Sequence, residues 1–101
     1  MKAIRFHEFG APGVLRYEDA PKPAVRPGEV LVRVHAAGLN PPDWYLREGY
    51  KALPPEWRPS IELPAIPGSD VSGIVEAVAS DVTAFSPGDE VFGMIRFPSF
   101  G

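Results

Sequence analysis

Thirteen prolines and ten glycines spread through 101 residues restrict this chain more than any other feature. Proline lacks a backbone N–H and clashes inside a helix, and both residue types punctuate turns. A helical bundle is excluded, and short strands joined by shaped loops are expected. With 45% hydrophobic and 23% charged residues, the chain has the composition of a folded globular protein. Its length fits one domain, residues 1–101, with a modest core.

A formal charge of −3 offers no electrostatic footprint for nucleic acid or an anionic membrane surface, so neither partner is expected. The absence of cysteine removes disulfides, thiolate nucleophiles and the commonest zinc ligand together. The start, Met1-Lys2-Ala3-Ile4-Arg5-Phe6, alternates instead of running apolar, and no stretch approaches eighteen apolar residues. No signal peptide or membrane span is therefore read, and a cytoplasmic location is the default.

Lys2 to His7 and Val14 to Glu18 read as a hairpin around Gly10-Ala11-Pro12-Gly13. An extended connector rich in proline ends in the Pro27-Gly28 turn. From Val30 to Ala37 the alternation predicts a strand with Val30, Val32, Val34 and Ala36 on one face and Leu31, Arg33 and His35 on the other. Asn40 is an N-cap residue type followed by two prolines, and a short helix through Glu48 is expected to end at Gly49. Tyr50 to Pro67, with five prolines, reads as a long loop packed by its own apolar side chains. Further strands are expected over Val71 to Val78 and Asp89 to Ile95, the second after a Ser86-Pro87-Gly88-Asp89 turn. The pattern is a mainly β domain, a small barrel or partly open sandwich with one short helix. Phe97 and Phe100 follow the last strand without a closing element, as expected of a piece of a longer polypeptide.

Five ordered segments carry a resemblance. They are Met1-Lys2-Ala3-Ile4, Pro27-Gly28-Glu29-Val30-Leu31-Val32-Arg33-Val34, Ala36-Ala37-Gly38-Leu39-Asn40-Pro41-Pro42-Asp43, Pro67-Gly68-Ser69-Asp70-Val71-Ser72-Gly73-Ile74-Val75 and Pro87-Gly88-Asp89-Glu90-Val91-Phe92-Gly93. Over nearly its whole length the chain resembles the N-terminal part of medium-chain dehydrogenases and reductases, in the quinone oxidoreductase (zeta-crystallin) branch. The resemblance implies a GroES-like, partly open β-barrel with one short helix, part of a two-domain α/β enzyme that is a homodimer when intact. It implies hydride transfer from NADPH to a quinone or an α,β-unsaturated carbonyl, with the cofactor held mainly by a following Rossmann domain. Zinc-dependent relatives carry a cysteine where Asn40 stands and Gly-His-Glu where Gly68-Ser69-Asp70 stands. A catalytic zinc needs three converging protein ligands, so no metal is expected here.

The same resemblance assigns site residues. Asn40 stands where an amide can hydrogen-bond the nicotinamide or the substrate carbonyl, a role in both catalysis and cofactor binding, while its residue type also suits a plain helix cap. Tyr45 corresponds to a cleft tyrosine, where a phenol can donate to developing oxyanion charge or simply wall the pocket, with core packing as the competing reading. Trp44, Tyr50 and Trp57 are candidate substrate-binding aromatics, since a quinone ring stacks on aromatic faces; loop self-packing competes for the last two. Asp43 and Asp70 read as helix-start and turn residues, and His7 and His35 as solvated. Convergence of Asn40 and Tyr45 in one cleft is the geometric test of these assignments. A non-enzymatic GroES-like interaction or assembly module is the alternative function.

Overall fold

A computed structural model of the chain describes residues 1–95. Strands β1 (Lys2–Arg5) and β2 (Arg16–Asp19) form the expected hairpin, antiparallel, with Lys2 opposite Asp19 and Arg5 opposite Arg16. A single 3-10 turn, Pro12–Val14, shapes the connection. The hairpin continues into the chain's main apolar cluster through Phe6, which pairs with Ala65 by two backbone hydrogen bonds of 3.0 Å.

The second sheet holds β3 (Val30–Gly38), β4 (Asp70–Val78) and β5 (Glu90–Met94) in the order β3-β4-β5, all antiparallel. Both predicted turns are present. Glu29 N–H closes on Arg26 O at 3.0 Å, and Asp89 N–H on Ser86 O at 3.1 Å. Strict alternation along β3 is not kept: the register with β4 shifts between Leu31 and Val32 and again between Val34 and Ala36. The first leaves Glu76 of β4 unmatched and the second leaves His35 of β3 unmatched, so the two faces read from period two along β3 are interrupted at His35. Beside the second lies Gly73, where a Cβ would sit 2.2 Å from the Arg33 carbonyl oxygen; only glycine allows the backbones this close.

Helix α1 (Pro41–Arg47) follows β3 directly, with two prolines in its first turn and Glu48 at its C-cap. It buries Leu46, and together with Tyr50 beyond the helix end Leu46 packs against Phe6 and Ala65, with Val14, Leu15 and Ile61 around them. That cluster fastens hairpin, helix and the two ends of the 50–67 loop together, while residues 51–58 of the loop are exposed. Two separate sheets with open edges make the fold mainly β and partly open, with one short α-helix among the described residues. No helix among them is long and apolar enough to cross a membrane. Phe97 and Phe100, read above as following the last strand without a closing element, lie outside the described residues.

Candidate functional site

The site begins where β3 ends. Gly38 pairs with Asp70, the first residue of β4, and a Cβ on Gly38 would meet the Asp70 Cβ at 3.0 Å. The missing side chain lets the strand ends close up. Two residues later Asn40 leaves the sheet to begin α1, and the register brings it back against Asp70. Its Nδ2 donates to Asp70 Oδ2 at 2.6 Å.

Asn40 and Asp43 form a capping box, so the cap reading of Asn40 and its place at a cleft coexist. Asp43 Oδ2 accepts the Asn40 backbone N–H at 2.8 Å, and its Oδ1 accepts the Gly68 N–H at 2.9 Å. Asp43 is only 4% exposed. A buried carboxylate is tolerated when both oxygens are hydrogen-bonded and a helix N-terminus faces it, and all of these hold here.

Asn40, Asp43, Trp44 and Arg47 fall at i, i+3, i+4 and i+7, one stripe of the helix. With Leu15, Leu39, Pro41 and Pro67 they line a cleft of about 300 Å³. Arg47 is fixed there by the hairpin turn, its Nε donating to Gly10 O at 3.1 Å while the Gly10 N–H donates to Arg47 O at 2.9 Å. The Trp44 indole N–H donates to Glu48 Oε1 at 2.9 Å, which leaves the ring faces as its contribution to the cleft. That donation is the first cause holding the Glu48 carboxyl below its ordinary value, with the Lys51 ammonium adding to it against the opposing effect of desolvation. A second depression of about 480 Å³ runs over the sheet between Ala36, Ser72, Phe92 and Met94 and is bordered by Asp70. The Asn40–Asp70 bond thus spans the ground between the two.

The structure brings together Asn40 and Trp44 and leaves the other candidates apart. Tyr45 is not among the residues lining the cleft. It is 44% exposed and lies against Trp44, the ring centroids 5.1 Å apart at 39°. Tyr50 is corrected from rim to core: it is 8% exposed and packs with Phe6, Leu46 and Ala65. Burial, and then the nearby negative charge of Asp43, raise its phenol above the ordinary value of 10.0. Trp57, 71% exposed at the end of the 3-10 turn Pro55–Trp57, lines neither depression. Sequence reasoning passed over Arg47 and treated Asp43 as a cap alone, although the i, i+3, i+4, i+7 spacing with Asn40 was there to be read. His7, read as solvated, instead pairs with Glu18, which also accepts from Arg5 Nε at 2.7 Å. Among the described residues no three His, Cys, Asp or Glu side chains gather as a metal site would require.

A family model for the alcohol dehydrogenase GroES-like domain matches residues 26–98. The chain belongs to this family. It is 46% identical over 93 residues to the quinone oxidoreductase of Rattus norvegicus, covering 91% of this chain and 26% of that protein. It is 38% identical over 98 residues to the 2-methylene-furan-3-one reductase of Solanum lycopersicum, covering 95% and 24%. Among solved structures, the quinone oxidoreductase from Coxiella burnetii matches with a TM-score of 0.82 at 39% identity, covering 99% of this chain and 31% of that one. The Escherichia coli quinone oxidoreductase complexed with NADPH matches with a TM-score of 0.78 at 32% identity, covering 91% and 26%. Over most of its own length the chain is thus similar to proteins of the quinone oxidoreductase branch, and it spans about a quarter of the length of the curated relatives it matches.

Proposed function

We propose that this GroES-like domain is the substrate side of an NADPH-dependent reductase that transfers hydride to a quinone or an α,β-unsaturated carbonyl without zinc. The supporting observation is the Asn40 amide on the wall of a cleft faced by Trp44, in a chain whose relatives are quinone oxidoreductases. NADPH, when bound, supplies the hydride. A cleft of about 300 Å³ fits a nicotinamide ring or a small quinone and not a whole dinucleotide. Residues 1–101 then form the catalytic domain, and the remaining cofactor surface belongs to a following dinucleotide-binding domain.

Addition of hydride to an electron-poor carbon drives an electron pair onto the conjugated carbonyl oxygen. A fixed N–H donor at that oxygen stabilises the charge as it develops, and Asn40 has an amide hydrogen to give beyond the one committed to Asp70. Water can supply the proton that completes the reduction. Trp44 offers a flat wall for a planar acceptor, and Tyr45 supports that indole. Zinc chemistry is not invoked, because Asn40, Ser69 and Asp70 occupy the ligand positions and the chain has no cysteine. The intact protein would act in the cytoplasm as a homodimer on a small molecule, with no nucleic-acid or membrane partner.

The full-length protein is expected to oxidise NADPH with simple quinones and enones, and Asn40→Ala should lower kcat/KM by about 10²- to 10³-fold. No turnover on either class would end this reading. One tightly bound zinc per chain in dialysed protein would end its metal-free part.

A further inference from the structure

We infer that Asp43 is the positioning residue of this site: its carboxylate ties the start of helix α1 to the 67–68 turn and so fixes where the Asn40 amide lies. The inference rests on the reductase reading for its kinetic consequence, but not for its geometry. Asn40 is held by two carboxylates from two directions. Asp43 Oδ2 takes its backbone N–H at 2.8 Å, and Asp70 Oδ2 takes its side-chain N–H at 2.6 Å. Asp70 is carried by β4, whose approach runs through Pro67 and Gly68, and the Gly68 N–H is held by the other Asp43 oxygen at 2.9 Å. Asp43 therefore governs both ends of the Asn40–Asp70 contact: one oxygen sets the backbone from which Asn40 projects, the other the turn from which Asp70 projects.

Only a carboxylate can do this. Both partners are N–H donors, and an amide at the same place would aim its NH2 at one of them with little water to relieve the conflict, since Asp43 is nearly fully buried. Asp43 lines the same cleft, but it is nearly fully buried with both oxygens engaged, so it acts through Asn40. A displacement of about 1 Å in a positioning group is enough to cost about a hundredfold in rate.

The test uses full-length protein as wild type, Asn40→Ala, Asp43→Asn and the double variant. Folding is checked by thermal unfolding, and Asp43→Ser, which keeps one small acceptor, replaces Asp43→Asn if the latter does not fold. Asp43→Asn should lower kcat/KM by about ten- to a hundredfold in the wild-type background and have little further effect in Asn40→Ala, the non-additivity of residues acting as a unit. Equal losses in both backgrounds would overturn the inference. A second readout needs no activity. Asn40 is the only asparagine among these 101 residues, and the sequence has no glutamine. In asparagine-labelled protein its NH2 proton pair is identified by its loss in Asn40→Ala. Asp43→Ser, which brings in no second side-chain amide, should shift that pair and speed its exchange with water, as the bond to Asp70 loosens. An unchanged pair would refute positioning by Asp43 even if the protein proved not to be a reductase; a shifted pair without quinone or enone turnover would refute only the reductase reading.

Discussion

Trp44 and Tyr45 are adjacent aromatics on a seven-residue helix, and a turn of about 100° per residue sends them in different directions. Trp44 falls on the stripe of Asn40 and Asp43 and faces the cleft, while Leu46 falls on the stripe that enters the core, where Tyr50, past the helix end, joins it. Tyr45 lies between the two stripes, half in solvent. Its identity as a tyrosine drew attention to it, whereas its phase on the helix decides its contact. The Tyr45 hydroxyl is therefore expected not to donate to the reacting oxygen. In the full-length protein Tyr45→Phe should keep steady-state turnover within about tenfold of wild type, short of the loss of about 10²- to 10³-fold that follows removal of a transition-state donor. A loss in that larger range would return the hydroxyl to the chemistry.

Among the elements, β3 shows how far a pattern carries. Its existence and length follow from alternating branched side chains and a Pro-Gly turn, but its two register shifts follow from what β4 presents to it. Gly73→Ala should destabilise the protein by about 1–3 kcal/mol, because a methyl group cannot share space with the Arg33 carbonyl and backbone must move. Gly93→Ala is the control: no atom outside its neighbours lies within 4 Å of the new Cβ, and a change within about 0.5 kcal/mol is expected. Urea denaturation of the two variants compares them directly, and equal effects would contradict the packing account. On the first hairpin, hydrogen bonds from His7 and then Arg5 hold the Glu18 carboxyl below its ordinary value of 4.5. A carboxyl whose folded pKa is depressed contributes stability above its unfolded value and loses it as pH falls through the folded one. Thermal unfolding followed downward from pH 5 should therefore fall less steeply in Glu18→Gln than in wild type. The difference should shrink in high salt, as solvent screens the pair.

For the whole molecule, two open sheets and a small core carry a cleft of about 300 Å³, smaller than a whole dinucleotide needs. The 101-residue chain by itself is therefore expected to show negligible NADPH oxidation with quinones and enones, since proximity of donor and acceptor cannot be enforced without the larger cofactor surface. Saturable turnover by this chain would show that the cofactor sits elsewhere. The sequence alone determined the mainly β class, the turns at 27–28 and 86–89, the helix start at Asn40 and the family, because these depend on local backbone preferences and ordered short motifs. The absence of cysteine belongs to the sequence as well, and with it the expectation that no zinc site of the alcohol dehydrogenase kind is assembled. Tertiary structure decided which aromatics reach the cleft and that Tyr50 belongs to the core. It also decided that Asp43 and Asp70, 27 positions apart, hold one asparagine from two sides. Those outcomes depend on strand register and helix phase acting across the chain, through contacts no local pattern encodes.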